Sequence, residues 1–69
     1  MGMQKHKERT FLLRLVGLEW RVVDGATGVT LVVFSQAEYG RMWLRDAGCE
    51  PHGLMAGESR AEVWVKIWQ

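Results

Sequence analysis

Sixty-nine residues with nine basic side chains, eight acidic ones and one cysteine describe a single small domain of formal net charge +1. An intrachain disulfide is excluded, so balanced a charge does not mark a nucleic-acid-binding domain, and no apolar run reaches the roughly 18 residues of a membrane span. Apolar residues nevertheless make up 48% of the chain, while a chain this short buries only about 60% of its unfolded surface. The surplus apolar surface is expected to go into a homo-oligomer, a dimer in the simplest case, or into a complex with a larger protein. A lone thiol fits a reducing compartment, and "MGMQKHKERT" lacks the apolar core of a signal peptide. The expected location is the cytoplasm, of a cell or of a virus-infected host.

Residues 1–10 show no periodicity and read as a flexible basic arm carrying Lys5, Lys7 and Arg9, ahead of one α+β domain over 11–69. From Phe11, "FLLRLVGLEWRVVD" alternates as a strand whose phase slips at Gly17. A glycine inside such a pattern marks a bulge, with a tight turn between two shorter strands as the second reading. "DGATG" (24–28) is a turn by composition, and "VTLVVFS" is a strand with apolar residues on both faces. It reads as a central strand covered on both sides, or on one side by something outside the monomer.

"SQAE" places Ser35 as a helix N-cap with Glu38 closing a capping box. The helix is expected over about Gln36–Ala47, stopped by Gly48 at the C′ position. Ala37, Gly40, Leu44 and Ala47, with Tyr39 and Trp43, form its apolar arc. Gly40 lowers helix propensity by about 1 kcal/mol against alanine, and its place in that arc suggests a close approach to the sheet. "CEPHG" reads as a loop, a strand passes through "LMA", a turn follows near "GES", and "RAEVWVKIWQ" closes a hairpin. The predicted architecture is α+β: a four- to five-stranded antiparallel sheet in the order β-β-α-β-β, one face packed by one amphipathic helix.

In the last strand Val63, Val65 and Ile67 alternate with Trp64, Lys66 and Trp68. The aliphatic set is assigned to the helix side, which leaves two tryptophans and a lysine on the open face. An exposed aromatic patch of that kind marks an interaction site. Three occupants compete for it. A second copy would make the tryptophans a dimer core, and a larger protein target, which a small inhibitor or adaptor would bind, would take them as anchors. Single-stranded nucleic acid would stack on them while Lys5, Lys7 and Arg9 follow its phosphates. Arg14 and Arg21 join Trp64, Lys66 and Trp68 as candidate contacts, with Arg14 placed to stack on an indole or to pair with Glu62.

Catalytic chemistry is not indicated. Cys49 and His52 in "CEPH" follow a helix C-terminus, where the dipole disfavours a thiolate. Cys49-x-x-His52 is half of a zinc site, and a structural zinc needs four ligands. The glycines at 25 and 28 lack the lysine and the strand-to-helix setting of a phosphate loop. No cofactor or metal is expected, and the domain reads as a non-enzymatic binding module.

Overall fold

A computed structural model describes residues 7–54 and 61–68. The chain runs β1 (Lys7–Val16), β2 (Glu19–Asp24), β3 (Thr30–Phe34), α1 (Ala37–Asp46), β4 (Glu50–Leu54) and β5 (Glu62–Trp68). The strands form one antiparallel five-stranded sheet in the spatial order β3-β2-β1-β5-β4, with α1 packed against one face. This is the expected α+β architecture, with one more strand ahead of the helix than the β-β-α-β-β order.

The extra strand comes from Gly17. Val16 pairs with Glu19, so Gly17 and Leu18 are the two central residues of a hairpin turn. Gly17 has a φ of 64° and Leu18 a negative one, which fits the type II′ turn that needs glycine at its first central position. The bulge reading is therefore replaced by the turn. The phase slip in the sequence is the change of strand direction.

Three other expectations are corrected. Lys7 to Thr10 are not an arm but the start of β1, held by register with Trp68 to Val65 of β5; residues 1–6, Lys5 among them, lie outside the described residues. The "VTLVVFS" strand is not central. It is the edge strand β3, and the side chains of Val29, Leu31 and Val33 are exposed. "CEPHG" is not a loop, since Glu50 to Gly53 belong to β4, the other edge, where Pro51 lacks only an N–H that an edge strand can spare. The "LMA" strand and the "GES" turn fall largely in 55–60, outside the described residues.

Helix α1 starts one residue later than expected. Gln36 occupies the N-cap position in an extended conformation and makes no side-chain cap hydrogen bond. Ser35 is spent on the turn that leaves β3 at Phe34, so the capping box does not form. The other end matches its expectation. Gly48 has a φ of 89°, and its N–H donates to the carbonyl of Arg45 while Cys49 N–H donates to Leu44. That pair of bonds is a Schellman motif, and it carries Leu44 and Cys49 into the same core.

The core consists of Phe11, Leu13, Val22, Leu44, Cys49 and Trp64, with Trp20, Val32, Phe34 and Ala47 packed around it. Gly40 fixes the spacing between its layers. A Cβ on Gly40 would stand 2.5 Å from Cδ1 of Leu13, which is fully buried. Gly40→Ala gains about 1 kcal/mol of helix propensity and meets an overpacking cost of about 1–3 kcal/mol. The expected result is a lower urea midpoint, and a higher one would show that Leu13 yields and that the close approach is not needed.

Candidate functional site

The register of β5 decides what each face carries. Trp64 lies opposite Phe11 and Glu62 opposite Leu13, so both stand on the side of the core. Trp64 is 1% exposed, one of the largest fully buried side chains. The expected partition is thus inverted: Trp64 and Lys66 point to the helix side, and Val63, Val65 and Ile67 to the open one. Trp68 keeps the backbone register of Trp64, opposite Lys7, and its side chain lies outside the described part of the structure.

A polar frame holds Trp64 in place. Its indole Nε1–H donates to Glu62 Oε1 at 3.1 Å, and Arg41 from α1 grips the same carboxylate with Nε at 2.9 and 3.0 Å and with Nη2. Arg45, one turn further, places its guanidinium 5.4 Å from the Trp64 ring. The arginine that meets this indole is therefore Arg45. Arg14, on the opposite face, neither stacks on Trp64 nor pairs with Glu62. The Arg41 hydrogen bonds hold the Glu62 carboxyl below its ordinary value, against the effect of its partial burial.

At the far end of the same face, Arg9 binds Asp24 and lies 5.1 Å from the Phe11 ring. Asp24 also accepts from the backbone N–H groups of Ala26 and Thr27, at 2.9 and 3.4 Å, which locks the 24–28 turn. The Arg9 bond is the main cause holding its carboxyl low, with the turn amides adding to it. Lys66 lies with its stem alongside Gly48, and Cys49 is buried in the core with its thiol pushed up by desolvation. His52 is exposed. Among the described residues no three His, Cys, Asp or Glu side chains cluster as metal ligands do.

The open face is built from cross-strand rows. Val23, Leu12 and Val63 form one row, Thr10, Val65 and Glu50 the next, and Glu8 and Ile67 the last. Val33, Arg21 and Arg14 form the row at the other end. Val23 is buried although it stands apart from the core cluster, and Ile67 is 61% exposed. Arg14 and Arg21 are directly opposed, an arrangement that is destabilising for like charges. The Nε atoms of both are buried and lack a hydrogen-bond partner, while an Nη of Arg21 reaches Glu19 at 2.9 Å. At the β4–β5 end a cleft of about 380 Å³ opens between Glu8, Glu50, His52 and Ile67. The face is therefore apolar in the middle, with an arginine pair at one end and carboxylates at the other.

Of the residues singled out from sequence, the structure brings Arg14 and Arg21 together on the open face. It sends Trp64, Lys66 and Arg9 to the helix side. The side chain of Lys7 lies outside the described residues, as Lys5 does altogether. Sequence reading missed the Arg41–Glu62 pair, naming Glu62 as a possible partner of Arg14. It also missed the Val63–Val65–Ile67 row as open surface. An aromatic stacking platform is absent from the described part of the open face, since Phe11, Trp20, Phe34 and Trp64 all belong to the helix side.

No protein-family model matches the chain, and no curated protein or solved structure matches it either.

Asp24 and Glu62 both have folded-state values below those of free carboxylates, so the unfolded chain binds more protons in acid. The stability they contribute is complete above the unfolded carboxylate values, at about pH 4, and is lost as pH falls through the lower folded ones. The urea midpoint should stay level from neutral pH to about 5 and then drop. Glu62→Gln should cost about 1 kcal/mol at neutral pH, a modest figure because Arg41 is partly exposed, and should make the acid decline shallower. An unchanged acid slope in that variant would remove Glu62 from the account.

Proposed function

We propose that this domain is a non-enzymatic protein-interaction module that presents its open sheet face to a larger protein with an acidic contact surface. One observation carries the reading: the opposed, incompletely satisfied guanidiniums of Arg14 and Arg21 beside the aliphatic rows of Leu12, Val63, Val65 and Ile67. An apolar patch bordered by charge is the ordinary composition of a protein interface. Arginine is favoured at its centre because the planar fork accepts a carboxylate in two parallel bonds. A partner carboxylate placed between the two arginines removes the like-charge repulsion that the free domain carries. The aliphatic rows then lose water in the same step.

A chain this small, with no catalytic cluster among its described residues, acts by occupying a surface, as a stand-alone inhibitor or an adaptor does. A cytoplasmic setting suits the single buried thiol. No helix of the described residues is long and apolar enough to cross a membrane. Single-stranded nucleic acid is the weaker reading, because among the described side chains of the sheet the aromatic ones, Trp64 included, belong to the helix side.

The test is cross-linked capture from the cell that makes the protein, with the wild type beside three variants. A protein partner should be lost with Arg14→Glu/Arg21→Glu and with Val65→Asp, and kept with Arg45→Glu on the opposite side. Capture that ignores the first two substitutions would place the binding surface elsewhere. A single-stranded oligonucleotide titrated by fluorescence anisotropy should show no binding at physiological salt, and tight, salt-sensitive binding would reverse the order of the two readings.

A further inference from the structure

The two edges of the sheet are not alike. Edge strand β4 contains Pro51, which has no N–H to offer, and the charged Glu50 beside it; both edges are irregularly paired, β4 between Pro51 and Gly53 and β3 between Val32 and Thr30. The proline and the charge, which β3 lacks, both hinder the addition of a further strand. Edge strand β3, "TLVVF", has neither proline nor glycine nor charge. Only one side of its backbone is used, by β2, and its Leu31 and Val33 side chains are 42% and 43% exposed.

The helix adds to this edge. Arg41 bonds Glu62 and Arg45 lies over Trp64, which fixes one flank of α1 towards β5. At about 100° per residue the other flank carries Tyr39 and Trp43, which are 49% and 36% exposed. That flank lies on the β3 side, since the helix packs on β1, β2 and β3 and follows β3 after only Ser35 and Gln36. An open apolar strand edge and an exposed aromatic helix flank therefore stand next to each other.

We infer that this edge is the seat of a second copy of the chain, joined antiparallel β3 to β3 so that two sheets become one and the Tyr39–Trp43 flanks meet across the two-fold axis. An antiparallel β3 pair is its own complement, with the axis perpendicular to the sheet and both helices on the same side. Leu31 of one copy falls beside Val33 of the other on the open face. The blocked β4 edge ends the assembly at two copies, where two open edges would give a filament. Charge favours the edge over the face as the self-contact. Nothing in β3 has to be desolvated as an ion, whereas face-to-face pairing takes the Arg14 and Arg21 guanidiniums of both copies out of water. Edge pairing leaves the open faces of both copies uncovered and side by side, so it does not depend on what those faces bind.

Light scattering on a sizing column, from micromolar to millimolar concentration, tests this. The wild type should elute with twice the 7.9 kDa chain mass, and a monomer over the whole range would overturn the proposal. Leu31→Lys/Val33→Lys should give a monomer with an unchanged circular dichroism spectrum, and Val65→Lys, on the open face, should remain a dimer. The reverse result, a dimer broken by Val65→Lys and untouched by the edge lysines, would place the self-contact on the face. Should the double edge variant fail to fold, Tyr39→Lys on the exposed helix flank should still weaken the dimer at least about tenfold. A dimer unmoved by it would overturn the arrangement.

Discussion

The contact of Gly40 with Leu13 sets the distance between the two layers, and the rest of the molecule follows from it. With no side chain at Gly40, the helix axis comes down onto β1 and seals Leu13, Leu44 and Trp64 from water. One ten-residue helix covers one face of the sheet and no more. The apolar residues of the other parity receive no cover from it, and most of them, Val23 apart, stay partly or fully exposed. The open face is thus a consequence of how much sheet a single short helix can shelter.

The alternation of β5 shows where the sequence was legible and where it was not. The helix, its glycine stop and the 24–28 turn are written in local chemistry and could be read directly, whereas the start of β1 at Lys7, the turn at Gly17 and strand β4 were not. The choice of face is not local. Period two separates Val63, Val65 and Ile67 from Glu62, Trp64 and Lys66, and does not say which set is covered. Three aliphatics against a set containing a glutamate and a lysine favour the wrong answer. The right answer depends on long-range partners: Arg41 neutralises Glu62 from the helix, and the Lys66 stem runs along Gly48. The largest apolar side chain of a small domain was a competing clue, since no other single residue shields so much area. At Ser35 the failure was of another kind. The capping signature is present, but β3 runs to Phe34 and leaves Ser35 and Gln36 to make the turn.

Placing Glu62 beside Trp64 has a further effect. A buried indole needs a partner for its N–H, and a carboxylate near an apolar core needs a cation. Arg41 meets the second need and Glu62 the first, so three side chains from α1 and β5 satisfy one another. Arg45 then closes over the ring from the side. Arg41, Arg45, Glu62 and Trp64 thus form one connected unit in the fold. Arg14 and Arg21 do not enter it and are left facing each other on the other side of the sheet.

That leftover pair separates the two surfaces in physical terms. The face around Arg14 and Arg21 carries like charge at one end, so a second copy meets it only at a desolvation cost, whereas a complementary carboxylate relieves it. The β3 edge carries no charge, only backbone groups, Thr30 and apolar side chains, so pairing it with its own copy would desolvate no ion. Repulsion on the face and neutrality on the edge direct the two kinds of contact to different places. A domain with one helix and no disulfide can in this way gain buried area at its edge while keeping its charged face free. In the proposed edge pairing, the asymmetry between Pro51 on one edge and "TLVVF" on the other is what would stop the assembly at two copies.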